Sequence, residues 1–266
     1  MDKPKRVCVF CGSTPLTIEH HPPKWIAECF PNNPNVVGER FFRRIGQDLE
    51  SRGEGRGYAL LEYKMACKSC NNGWMSELEN LAKPVLAPMI RGDAVRLSPL
   101  GQRHVASWVA KSALTAGVMH GWDNAAHFRE VYADFFHARR PDDDYEINIA
   151  ACETNNMVSC VYDTSQPYLL HDSKGTTAFD GFYYVGLFGH FVATVRHRPA
   201  GARGRVAQWP KAPFLEIWPR DGTGPIRKAW PPDPRLTVDE VNALIKGPNP
   251  KPHYLQPSSP IPPKKI

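Results

Sequence analysis

Cys67-Lys68-Ser69-Cys70-Asn71-Asn72-Gly73-Trp74 decides how the first part of this chain folds, because it repeats a pairing already made by Cys8-Val9-Phe10-Cys11-Gly12. A two-residue spacer lets both sulfurs of a pair turn toward one ion about 2.3 Å away, and two such pairs complete the tetrahedral thiolate set of a structural zinc site. Gly12 suits a tight turn in which backbone amides point at the sulfurs. The 55 residues from 12 to 66 exceed the usual ribbon spacing, so an insertion is expected, placed in the Asn-, Gly- and Arg-rich stretch 30–57. The chain has seven cysteines, an odd count that argues against a disulfide framework. Cys29, Cys152 and Cys160 lack partners at ligand spacing and read as small buried hydrophobes. Unrelated reduced pairs, or a redox Cys-x-x-Cys, are the weaker alternatives.

Between the two pairs stands Glu19-His20-His21-Pro22-Pro23, an acid directly before His with Pro three residues after that His. Asn71 follows the last cysteine at once. In this order of features the first 70 or so residues resemble the HNH endonuclease family, which carries an acid-His-x-x-Pro segment between Cys-x-x-Cys pairs and Asn or His after the final cysteine. With Gly-Trp-Met-Ser-x-Leu-Glu after the Asn, the segment is similar to a group of phage and bacterial HNH proteins. The resemblance implies a ββα-metal fold in which a hairpin presents Glu19 and His20 and the following helix presents Asn71. It implies one divalent cation, Mg²⁺ or Mn²⁺, between Glu19 and Asn71, with His20 as the general base for an attacking water. Glu19 stands where the family commonly has Asp, Trp74 where it often has Lys or Arg, and Tyr58 to Ala66 holds no counterpart of the family's middle Asn. His21 and Asn72 are the adjacent alternatives to His20 and Asn71.

The chemistry of the residues agrees with that implication. Hydrolysis of a phosphodiester builds negative charge on the phosphate and on the leaving oxygen. A cation stabilises both, and a neutral imidazole accepts the water's proton near pH 7. Carboxylate and amide oxygens suit a hard cation, whereas the four thiolates suit zinc. Two metals with separate tasks are therefore expected, zinc for folding and Mg²⁺ or Mn²⁺ for chemistry.

Beyond the cysteines the pattern changes twice, giving an α+β chain. Residues 76 to about 140 read as helical. Ser76-Glu77-Leu78-Glu79 has the form of a capping box, Pro84 limits or kinks its helix, and Ser98-Pro99 opens a second. Val105, Trp108, Val109, Ser112 and Leu114 form an apolar face, and Asp123 starts a helix with Phe128, Val131, Tyr132, Phe135 and Phe136 on one side, stopped by Arg139-Arg140-Pro141. Residues 144–219 read as mainly antiparallel strands: Tyr145–Ile149, Val158–Tyr162, Phe214–Trp218, and a run from Phe182 to Val195 too long for one strand, with Gly186 or Gly189 marking a bulge or turn. Thr237-Val238-Asp239-Glu240 is a second capping box. The expected division is a nuclease module over 1–80, an appended α+β domain over 81–245, and a Pro-rich basic tail over 246–266, extended or disordered.

Composition narrows the function classes. Hydrophobic residues are 42% and charged residues 23%, ordinary globular usage. No apolar run is long enough to cross a bilayer, and the charged start Met1-Asp2-Lys3-Pro4-Lys5-Arg6 does not read as a signal peptide, so a cytoplasmic location and no membrane partner are expected. The formal charge is +6, and residues from Arg196 onward hold 13 Lys or Arg against 5 Asp or Glu. Arg40, Arg43, Arg44, Arg52 and Arg56 in the insertion are candidate phosphate contacts, as are Arg196, Arg198, Arg203, Arg205 and Lys211. Asp142-Asp143-Asp144 reads as a solvated turn, and the remaining histidines as core or surface residues. The expectation is a metal-dependent HNH-type endonuclease acting on double-stranded DNA. A non-catalytic zinc module that binds nucleic acid or protein, and an HNH-type nuclease for RNA, are the alternatives.

Overall fold

The computed structural model describes residues 6–30, 37–43, 50–56, 61–119, 126–153, 157–163, 167–172, 175–197, 214–218 and 228–246. In chain order come β1 (Leu16–His21), a 3₁₀ helix (Lys24–Cys29), β2 (Val37–Arg43), β3 (Glu50–Arg56), β4 (Leu61–Cys67), a π-helical turn (Cys70–Met75) and α1 (Ser76–Arg91). There follow β5 (Val95–Leu97), α2 (Pro99–Met119), α3 (Ala126–Ala138), β6 (Tyr145–Ala151), β7 (Met157–Asp163), β8 (Pro167–Asp172) and β9 (Gly175–Asp180). The last elements are β10 (Phe182–Phe188), β11 (Phe191–His197), β12 (Leu215–Trp218), β13 (Lys228–Trp230) and α4 (Val238–Lys246). The chain is thus α+β, and its strands pair antiparallel except for β2 on β7.

A seven-stranded sheet in the order β12-β6-β11-β10-β7-β2-β3 forms the centre. Every residue of β10 and of β11 is buried, which explains why the run lacks polar alternation: both faces are covered. Phe182, Tyr184 and Phe188 pack into the large core with α1 and α2, while Tyr183, Val185 and Leu187 face Leu236, Val241 and Leu244 around α4. The long run breaks at Gly189, where the φ of +57° makes the turn; Gly186 stays inside β10. A side chain at Gly186 would meet the Tyr184 hydroxyl and the Phe188 ring, so glycine here makes room for its aromatic neighbours.

α2 is the buried axis of the molecule. From Val105 to Val118 every side chain is buried, so this stretch of the helix has no solvent face, where the sequence suggested an apolar stripe. Trp108 lies against Phe188 at 5.4 Å and Trp25 at 5.9 Å between ring centroids. Its start follows the sequence, since Ser98 Oγ accepts the Gly101 N–H at 3.0 Å.

α1 departs from expectation at its start. Ser76 makes no side-chain cap, because the helix runs into it from the π-helical turn and the only break is Gly73 (ψ −114°). Pro84 and Pro88 lie inside the helix, which continues to Arg91. It ends at Gly92 with φ +85°, whose N–H reaches the Met89 carbonyl while the Asp93 N–H reaches Pro88. The His190 N–H, in the β10–β11 turn, caps the Ile90 carbonyl at 3.0 Å. The capping box at Thr237 forms as read: Thr237 N–H and Glu240 Oε2 are 2.8 Å apart, and Glu240 N–H reaches Thr237 Oγ1 at 3.2 Å.

The insertion between the cysteine pairs does not stand apart. It supplies β2 and β3, which extend the central sheet. One apolar cluster runs from Cys8 and Phe10 through α1 and α2 to Trp230, across the division expected near residue 80. Arg44, Asp123, His120, Arg198, Arg203, Arg205, Lys211 and the tail 247–266 lie outside the described residues. Among the described residues no helix is long and apolar enough to cross a membrane.

Candidate metal centre and the residues around it

The four paired cysteines converge. The Sγ atoms of Cys8, Cys11, Cys67 and Cys70 all lie within 4.8 Å of one another, with Cys11–Cys67 and Cys70–Cys11 both at 3.5 Å. A tetrahedron of sulfurs around zinc has edges of about 3.8 Å, so the spacing fits that ion. Local structure explains the convergence. Gly12, at φ +73°, donates to the Cys8 carbonyl at 2.8 Å and folds the first pair back on itself. The Val9 N–H bonds the Met65 carbonyl at 3.0 Å, tying that turn to β4, whose last residue is Cys67. Phe10 closes the underside, edge-on to Trp74 at 4.9 Å and near Tyr132 at 5.7 Å.

The thiols differ in acidity. Burial pushes the Cys67 thiol up, but hydrogen bonds from the Ser69 hydroxyl, the Cys70 backbone and the neighbouring thiols outweigh it and bring it to about 6. Burial raises Cys8 and Cys70 instead. One thiolate is therefore prepared for a soft cation, and the ion itself would deprotonate the others. Beside them lies Arg139, read from sequence only as a helix stop. Its φ is +56°, and its guanidinium lies 3.9 Å over the Phe136 ring and 4.6 Å over Trp74. Burial lowers its pKa while Cys70, Glu77 and Cys11 oppose that, so a cation sits next to the thiol cluster. Cys29 and Cys152 are buried thiols away from it, as expected; Cys29 is raised to about 11 by burial. Of Cys160 only the strand position in β7 is described.

β1 carries the other residues read from the sequence. It pairs antiparallel with β4, opposing Glu19 to Tyr63 and His20 to Glu62. Alternation in a strand sends Glu19 and His20 to opposite faces. Glu19 turns inward, 6% exposed, and its Oε1 accepts a hydrogen bond from Lys111 Nζ at 3.0 Å. Lys111, 1% exposed, also donates to Glu79 Oε1 at 2.7 Å. Burial alone would lower the Lys111 pKa, but Glu19 and then Glu79 more than reverse this and hold it charged. His20 turns outward, its Nε2 3.1 Å from Glu62 Oε1. Asn71 reaches back to the same strand, its Nδ2 donating to Thr17 Oγ1 at 3.0 Å and to the Ile18 carbonyl at 2.9 Å. Both amide hydrogens are thereby used, which leaves the Asn71 oxygen as the available donor atom. His21 is buried near Tyr184, and Asn72 is exposed.

The structure thus brings the four cysteines together and ties Asn71 to the strand of Glu19 and His20. Glu19 and Asn71 offer oxygen donors of the kind a hard cation takes, with one Glu19 oxygen already on Lys111. Lys111 and Glu62 were not singled out from the sequence, and Glu79 was read only as part of a capping box. A signal for Lys111 was present: it is the single charged residue between Val105 and Val118. Glu79 has left its expected capping role for that lysine. Arg40, Arg43, Arg52 and Arg56 are placed on β2 and β3, with only their backbone described. Asp142 and Asp144 meet His197 within 4.8 Å, but Asp142 Oδ1 accepts the Asp144 N–H at 2.9 Å in the turn that the sequence suggested. His197 stacks on Phe182 at 5.1 Å, and the His190 ring bonds the Cys152 carbonyl. No family model, curated protein or solved structure matches the chain.

Proposed function

We propose that the chain is an HNH-type endonuclease that hydrolyses phosphodiester bonds in DNA, with a structural zinc ion on Cys8, Cys11, Cys67 and Cys70. The observation that carries this reading is the bond from Asn71 to Thr17 and Ile18. It ties the residue after the last cysteine to the strand that holds Glu19 and His20, and this closeness is what supports the reading. A divalent cation, Mg²⁺ or Mn²⁺, held by Glu19 and Asn71 would supply stabilisation of charge on the phosphate and the leaving oxygen. His20 is the general base. With Nε2–H donated to Glu62, the free lone pair is on Nδ1, and the water's proton moves there. The arginines of β2 and β3 and the net charge of +6 suit a polyanionic substrate.

One observation favours a second reading, a zinc module that binds nucleic acid or protein without cutting. Glu19 is neutralised inside the fold by Lys111 and faces away from His20. Incubation of the purified chain with supercoiled plasmid and with structured RNA, each with Mg²⁺ or EDTA, separates the cases. Mg²⁺-dependent nicking or linearisation of the plasmid is expected, and it should disappear in His20→Ala while zinc content and melting temperature stay unchanged. Retention of plasmid without cleavage supports the binding module, and cleavage of RNA alone reassigns the substrate.

A further inference from the structure

Arg139 stands just past the end of α3 with φ +56°, and among the described residues it is the one non-glycine with positive φ. Glycine or asparagine would end the helix there with less strain, so the backbone gains nothing from an arginine. Its side chain, however, has a fixed place. The guanidinium lies over the rings of Phe136 and Trp74, and its Nη1 is buried without a hydrogen-bond partner. A buried N–H on a charged group is costly to leave unpaired. The Nε1–H of Trp74 is a second buried donor of this kind, and Trp74 favours the thiolate form of Cys70. Burial works against the charge of Arg139, and the negative groups that favour it are Cys70, Glu77 and Cys11. Glu77 is exposed, which leaves sulfur, Cys70 above all, as the buried acceptor beside the guanidinium.

Four thiolates around Zn²⁺ leave two negative charges uncancelled, and low surrounding polarity raises what they cost. Lys68, between the ligands, is exposed, so water screens its charge. We propose that Arg139 is a positioning residue of the zinc site: held over Trp74 and Phe136, it supplies a positive charge and a buried N–H to the Cys70 thiolate and so offsets the charge of the loaded site. The inference rests on the reading of the four cysteines as zinc ligands. It differs from a helix stop that merely packs on two rings, which would need the apolar stem of the side chain and not its charge.

The test is zinc binding by the full chain in competition with a chromogenic chelator, together with the sulfur-to-cobalt charge-transfer band of the Co²⁺-loaded form. Arg139→Gln removes the charge and should weaken zinc binding about tenfold or more. It should also move the band to longer wavelength, because a thiolate without its cation gives up electron density more readily. Arg139→Lys keeps the charge and should stay closer to the wild type in both readouts. Should Arg139→Gln not fold, Arg139→Met takes its place, since it loses the same charge and keeps an apolar stem for the two rings. A smaller loss of affinity or an unmoved band overturns the proposal, as does Arg139→Lys behaving like the neutral variant. A wild type that binds no zinc removes the cysteine site and this inference together; zinc held equally by the wild type and the neutral variant sinks the inference alone.

Discussion

Two glycines show how a single residue's cost depends on its surroundings. Gly12 and Gly189 both take positive φ, at +73° and +57°. A Cβ on Gly12 meets nothing within 4 Å, so Gly12→Ala carries only backbone strain, about 1 kcal/mol. A Cβ on Gly189 would lie 2.6 Å from the Ile90 carbonyl oxygen, which the His190 N–H holds in place. Gly189→Ala should therefore cost about 3 kcal/mol, the strain plus an overpacked backbone contact. Thermal melting checks the order: a Gly189→Ala protein no less stable than Gly12→Ala would show that the α1 terminus yields easily. The same contrast governs what the sequence disclosed. The cysteines and Gly12 were legible because ligation imposes a short, local spacing. Lys111 was not, because its partners Glu19 and Glu79 lie 92 and 32 positions away in sequence, and only folding sets that distance.

At the scale of elements, β1 and β4 form a two-stranded sheet of their own, which in isolation is marginal. What holds it is the thiol cluster at one end and the contact of Glu19 with α2 at the other. Cys67→Ser removes the ligand that ends β4, and should abolish stoichiometric zinc in elemental analysis and lower the melting temperature by 10 °C or more, about 3 °C for each kcal/mol lost. A variant that keeps one zinc per chain would refute the site. Strands were legible where polarity or β-branching marked them, as in β6, β7 and β12. The β10–β11 hairpin was read as one run with a break, since burial on both faces erases the alternation that would have separated them. The Ser76 box misled because its residues match a helix start, yet the preceding cysteine turn is already helical and leaves no uncapped N–H for it to serve.

For the whole molecule the question is whether the first 80 residues are a unit that could act alone. Three contacts tie them to the rest of the chain. Phe10 and Trp74 pack under the cysteines against Tyr132 and Phe135 of α3. Glu19 finds its counter-charge on α2. The insertion gives its two strands to the central sheet, pairing with β7 through β2. A fragment ending after Gly92 keeps all four cysteines, His20, Asn71 and Glu79, but loses Lys111, both aromatic covers and the sheet its insertion completes. Such a fragment with zinc should bind the ion through its thiols yet show little chemical-shift dispersion in NMR and no cleavage. In the intact chain, zinc removal should then lower one calorimetric transition rather than detach a separate early one, because the apolar cluster is continuous from Cys8 to Trp230. A well-dispersed spectrum from the fragment, or two resolved transitions whose first alone responds to chelator, would establish instead that the cysteine module folds independently.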